Sequence, residues 1–145
     1  MPLKIRTFRS GDLDQVMAIE NDSFPDPYSR MTFRLLGQWA GDGFIVAEDG
    51  GIVGYAVAET EGSRWHIISI AVSPKSRRAG VGAALLKELI RRAGPVVRSL
   101  FLEVRAGNSA AIRMYEKLSF ERTGEVKSRY YPDGEDAIVM AKELT

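Results

Sequence analysis

Along this chain of 145 residues, the spacing of hydrophobic positions changes several times, and each change marks an element. Over 3–9, Leu3, Ile5 and Thr7 alternate with Lys4, Arg6 and Phe8, the pattern of a half-buried strand. Ser10-Gly11-Asp12 then opens a helical stretch with Leu13, Val16 and Met17 on one face. Pro25 and Pro27, within Phe24-Pro25-Asp26-Pro27-Tyr28, end it, because proline donates no backbone hydrogen bond and clashes with the preceding turn. A second short helix is expected after Ser29, directing Phe33, Leu36 and Trp39 toward the core. The runs 44–48 and 52–60 flank Asp49-Gly50-Gly51 as a hairpin, and 65–72 is a further strand.

Residues 74–82 are polar and glycine-containing, a loop. The amphipathic helix 83–93 follows, with Leu85, Leu86, Leu89 and Ile90 on its apolar side, and Gly94-Pro95 stops it. Strand 100–104 leads to a helix over 109–118, capped by Asn108 and bearing Ile112, Tyr115 and Leu118. Strands 120–126 and 137–141 complete the pattern, separated by Tyr130-Tyr131-Pro132-Asp133-Gly134. The predicted order is βααβββαβαββ, an α/β fold with helices on both faces of one sheet, in a single domain over 1–145.

Composition narrows the chemistry. Lys and Arg number 20 against 19 Asp and Glu, so bulk charge points to neither a nucleic-acid nor a membrane partner. The absence of cysteine removes disulfides, thiolate metal sites and an acyl-cysteine intermediate together. With His66 the sole histidine, no two-histidine metal motif exists, and no metal is expected. No apolar run reaches the ~20 residues of a membrane span, and the N-terminal segment lacks the apolar core of a signal peptide. A cytoplasmic protein is expected.

Arg77-Arg78-Ala79-Gly80-Val81-Gly82 precedes the helix 83–93. Unpaired N–H groups and the helix dipole suit an anion there, glycines permit close backbone approach, and arginines add charged donors. Taken alone, the six residues read equally well as a glycine-tightened surface loop. A dinucleotide fingerprint fails because Leu85 stands in place of its third glycine, and a Walker A loop fails because no Gly-Lys occurs.

Ile67 to Gly82, Leu102-Glu103-Val104-Arg105 through Asn108, and Ala111-Ile112-Arg113-Met114-Tyr115-Glu116-Lys117-Leu118 together resemble the GNAT acetyltransferases. Arg-x-x-Gly-x-Gly resembles that family's acetyl-coenzyme A pyrophosphate loop, and implies the GNAT fold with a mixed, mostly antiparallel sheet. Within the family, nearly the whole chain resembles protein N-terminal acetyltransferases. Leu102 to Asn108, Tyr115 to Phe120, and Tyr130-Tyr131 with Gly134-Glu135-Asp136-Ala137 match both the bacterial RimI type (ribosomal-protein-alanine N-acetyltransferase) and the archaeal NatA-type catalytic subunit. His66, ahead of Ile68-Ser69-Ile70-Ala71-Val72, is closer to the archaeal form.

The resemblance implies acetyl-coenzyme A as co-substrate, touching Ile70, Ala71, Val72, Arg77, Arg78, Ala79, Gly80, Val81, Gly82, Ala83, Asn108, Tyr115 and Lys117. Without cysteine, direct attack in a ternary complex is expected. On spacing alone Glu103 is a solvent-facing glutamate, Tyr115 a core tyrosine, His66 a structural histidine and Asn108 a helix cap. The resemblance makes Glu103 the general base, acting through water, and Tyr115 the general acid for the departing thiolate. It gives His66 an orienting or proton-relaying role beside the amine. Reduced solvation near coenzyme A is expected to raise the Glu103 pKa.

Phe24, Pro25, Asp26 and Tyr28, with Tyr130 and Tyr131, would flank a peptide entrance with aromatic walls, His66 lying on the substrate side. Without the resemblance they read as a proline-stiffened turn and a packed tyrosine pair. The expected function is acetyl transfer to the N-terminal α-amine of a protein or peptide, with ribosomal or nascent chains among the candidates and a monomer or weak homodimer as the acting form. Two alternatives stand beside it: a small-amine N-acetyltransferase on the same fold, and a coenzyme A-binding module without catalysis.

Overall fold

The structure, a computed structural model, describes residues 3–77 and 79–144. Its strands are β1 (Lys4–Thr7), β2 (Phe44–Glu48), β3 (Ile52–Glu61), β4 (Arg64–Val72), β5 (Ser99–Arg105), β6 (Glu121–Lys127) and β7 (Ala137–Glu143). Its helices are α1 (Leu13–Ser23), α2 (Arg30–Trp39), α3 (Val81–Ala93) and α4 (Ser109–Lys117), with short 3-10 turns at Ser10–Asp12, Gly41–Gly43 and Pro74–Ser76. The strands form one sheet in the order β1-β2-β3-β4-β5-β7-β6. All neighbours are antiparallel except β4 and β5.

Alternation along the central strands fills both faces. Ile45, Ala47, Ala56 and Ala58 meet Val81, Leu85, Leu86 and Leu89 of α3 and Ile112 and Tyr115 of α4. Phe44, Val46, Tyr55 and Val57 point the other way, onto Leu13, Val16 and Met17 of α1 and Phe33 and Leu36 of α2. A sheet covered on both sides needs such two-sided apolar strands.

Two expectations shift. Trp39 does not enter the core: it is 73% exposed, the last residue of α2, where Ala40 caps the helix and the chain leaves for the 41–43 turn. Helix α3 begins at Val81 rather than 83, with Gly80 as its N-cap at φ 79°. That left-handed backbone favours glycine, and it turns the end of the 74–82 loop into the first helical residues.

The parting of β4 from β5 positions the site. Their parallel pairing covers Arg64–Ser99, Trp65–Leu100 and His66–Phe101, and stops there. Just beyond, the register of β4 on β3 passes from Ala58–Ile67 to Val57–Ser69, so Ile68 is an extra residue on β4. A bulge bends and twists its strand; here β4 turns away as β5 continues straight along β7. A cleft opens between the strands' C-terminal ends.

Candidate active site

That cleft is a cavity of about 810 Å³ whose walls include Ile70, Ala71, Val72, Glu103, Asn108 and Tyr115. One end is lined by Arg77, Gly80, Val81, Gly82 and Ala83 at the start of α3. At the other end stand Phe24, Pro25, Asp26, Tyr28, Tyr130 and Tyr131. Ala79 and Lys117 do not line it, and Arg78 lies outside the described residues. His66 opens instead into a smaller cavity of about 270 Å³ behind Glu103, shared with Glu61, Arg64, Glu125 and Lys127. Glu103 and Tyr130 border both.

Glu103 stands on the face of β5 opposite Leu100, Leu102 and Val104, which join the core on the α3 and α4 side. Its Oε1 is 2.6 Å from His66 Nε2, and Lys127 Nζ donates to its Oε2 at 2.8 Å. The His66 ring is held flat against Phe101, with centroids 4.5 Å apart and planes within 7°. The expected rise in the Glu103 pKa is not found. Burial does push upward, but hydrogen bonds from His66 and Lys127 outweigh it and hold the carboxyl at about 2. Lys127 had no part in the sequence reading, because nothing local marks a lysine at the end of an edge strand as the partner of a residue 24 positions away.

A carboxylate held so low links folding to pH. Its ordinary value is 4.5 and its folded value about 2, so its stabilising effect is complete above 4.5 and is lost as pH falls toward 2. The melting temperature of the parent should therefore fall more steeply between pH 4.5 and 2 than that of Glu103→Gln. Parallel melting curves across that window would contradict this.

Tyr115 is 6% exposed, packed at 5.7 Å from Phe120, and burial raises its hydroxyl pKa, with the neighbouring Tyr131 adding to the rise. The hydroxyl therefore stays protonated through the physiological range. No described residue accepts its proton, and no buried side-chain oxygen among the described residues lacks a partner, so the hydroxyl is reached from the cavity. Asn108 caps α4, its Oδ1 accepting from the Ala111 N–H at 3.1 Å. Arg77 donates to Val72 O at 3.1 Å and to Ser23 Oγ at 3.3 Å, pinning the loop before α3 against β4 and α1. A Cβ on Gly82 would stand 3.3 Å from Met114 Sδ.

The peptide-side loops rest on Glu20 and Arg105, neither of which the motifs assign a role. Glu20 is 1% exposed, accepts hydrogen bonds from Tyr55 Oη and, at 3.0 Å, Ser69 Oγ, and accepts the Tyr28 N–H at 3.0 Å. Its carboxylate pushes the Tyr55 phenol upward, after burial itself. Glu20 continues the stripe Leu13, Val16, Met17, so an acid on an apolar helix face was the available signal. The other residue is Arg105, at the end of β5. Tyr130 and Tyr131 meet edge to face, with centroids 5.0 Å apart. Burial raises the phenol pKa of Tyr28 and Tyr131 to about 12, so all these hydroxyls remain donors near neutrality. Among the described residues, no group of three His, Cys, Asp or Glu side chains is placed to hold a metal ion.

Residues 13–120 match the Acetyltransferase (GNAT) family. The chain belongs to that family. It is 41% identical over 144 residues to a protein of Methanocaldococcus jannaschii described as an uncharacterized N-acetyltransferase, covering 96% of this chain and 90% of that one. It is 35% identical over 156 residues to an N-alpha-acetyltransferase of Sulfurisphaera tokodaii, covering 97% and 93%. The crystal structure of the ribosomal-protein-S18-alanine N-acetyltransferase from Escherichia coli superposes with a TM-score of 0.88 at 33% identity, covering 99% of this chain and 95% of that one.

Proposed function

We propose that this protein transfers the acetyl group of acetyl-coenzyme A to the N-terminal α-amine of a protein or peptide by direct attack in a ternary complex. The carrying observation is one cavity that sets Glu103 and Tyr115 between a helix N-terminus suited to phosphate and an aromatic entrance suited to a peptide. The residues fit the co-substrate. The N–H groups at the start of α3 take the pyrophosphate, with Gly80 and Gly82 admitting it. Beyond His66, the edge of β4 that faces the cleft has no partner strand among the described residues, leaving the Ile70 backbone groups and the Val72 N–H for amide bonding. Acetyl-coenzyme A supplies the activated acyl group.

Glu103 draws the amine proton through a water, and His66 Nε2, 2.6 Å behind it, donates to the carboxylate and orients it. Tyr115 returns a proton to the departing sulfur. Tyr28, Tyr130 and Tyr131 hold the peptide backbone by hydroxyl donation. Preference for α-amines follows from their pKa of about 7.7–8.0 against about 10.4 for lysine, so far more of them are neutral at pH 7. We place the enzyme in the cytoplasm, as a monomer or weak homodimer, acting on a ribosomal protein or nascent chains. No helix among the described residues is long and apolar enough to cross a membrane.

Mass spectrometry of a peptide library incubated with acetyl-coenzyme A, run beside a panel of free small amines, tests this reading. Acetylation of peptide α-amines supports it; turnover of small amines alone, or no turnover, replaces it with one of the two alternatives. At the other end of the cavity, Gly82→Val should raise KM for acetyl-coenzyme A with little change in melting temperature. The added methyls fill the approach to the α3 N-terminus and press on Met114 and Val72. An unchanged KM would remove the pyrophosphate from that loop.

A further inference from the structure

We infer that Arg105 is a positioning residue that straps together the two loops of the peptide entrance and orients Tyr131 between them. Its Nη2 donates to Asp26 Oδ1 at 2.8 Å, and its Nη1 donates to Asp133 Oδ2 at 2.9 Å and Glu135 Oε1 at 3.0 Å. The guanidinium carbon lies 4.0 Å from the centroid of the Tyr131 ring. Asp26 belongs to the loop between α1 and α2, and Asp133 and Glu135 to the loop between β6 and β7, so one side chain joins segments far apart in sequence. Among the described residues, no other hydrogen bond or ion pair links these loops.

Each loop is also fixed at a second point. Tyr28 N–H donates to buried Glu20, and Glu135 Oε2 accepts the Gly107 N–H at 2.8 Å. The strap therefore links α1 through β5 to Gly107, the residue before the α4 cap. Only a planar, forked donor can serve three carboxylates while its face lies on an aromatic ring; a lysine ammonium lacks the fork and the face. Arg105 is 18% exposed at its side chain, so these charged hydrogen bonds are shielded more than those of an open surface pair. The inference rests on the proposal that these loops admit a peptide, and it assigns the width of that entrance to a residue that touches neither the amine nor the thioester.

The test compares Arg105→Met and Arg105→Lys with the parent by amide hydrogen exchange and steady-state kinetics. Exchange should quicken in 24–28 and 130–135 together, fully in the Met variant and partly in the Lys variant. Peptide KM should rise about tenfold in Arg105→Met, with KM for acetyl-coenzyme A within about twofold of the parent. In an Asp26→Asn background Arg105→Met should add less than about twofold, since the strap is already cut on one side. Unchanged exchange in either loop overturns the strap, as does additivity of the two substitutions or an equal rise in both KM values. Should Arg105→Met fail to fold, the Lys variant carries the same comparison. If the parent acetylates no α-amine the functional proposal falls, and the exchange experiment still decides the strap.

Discussion

Glu103→Gln is expected to lower kcat/KM for α-amine peptides about 10²–10³-fold near neutral pH, with the deficit shrinking as pH rises. The substitution keeps the shape of the side chain but removes the charge that His66 and Lys127 face. At low pH the amine is mostly protonated and removal of its proton contributes most to the barrier. Above its pKa of about 8 the amine is already neutral, so parent and variant converge. The ionisation of Glu103 itself, at about 2, lies far outside this range and adds no inflection. Peptides with a blocked N-terminus and a free lysine should be poor substrates near pH 7, because their neutral fraction is lower by a factor of about 250–500. A deficit constant across pH would reduce Glu103 to an orienting partner of His66, and His66→Ala would then carry the pH-dependent loss. Lysine peptides turning over as fast as α-amine peptides would defeat the account of selectivity.

Tyr115→Phe is the second large effect: kcat should drop about 10²–10⁴-fold, with coenzyme A affinity and melting temperature close to the parent. Only an oxygen is lost, and that oxygen makes no hydrogen bond to a described residue that the fold would miss. The ring keeps its place against Phe120. Single-turnover measurement of thiol release separates chemistry from product departure. An unchanged single-turnover rate would leave Tyr115 as a packing residue.

Periodicity made most of the scaffold legible, since two-residue and helical spacings survive in strands and helices buried on a defined face. Trp39 misled because a helical stripe says which face is apolar but not where the sheet beneath it ends. The cleft itself was invisible. Ile67-Ile68 reads as an unbroken apolar strand, and whether Ile68 bulges depends on pairing with β3, which no local pattern records. Glu103 and Tyr115 were reached through the family motif, and their chemistry was only half readable. The sign of the Glu103 shift turned on the hydrogen bonds from His66 and Lys127, the second reaching across from β6, two strands away. Glu20 was detectable as a misplaced acid, whereas the reach of Arg105 required knowing that two distant loops meet.

The narrow junction between β4 and β5 also bears on how the site comes into being during synthesis. β1 to β4 pair in an antiparallel series, and β2, β3 and β4 follow one another in sequence. Contacts of that kind close short loops and form early. The β4 and β5 pairing, in contrast, joins residues 64–66 to 99–101 in parallel, across the whole of α3. A chain emerging from the ribosome can thus build the Tyr55 and Phe33 core before it possesses Glu103 or Tyr115. Catalytic competence arrives last, after β5 docks against three residues of β4 and brings its carboxylate to His66, and the following α4 adds Tyr115.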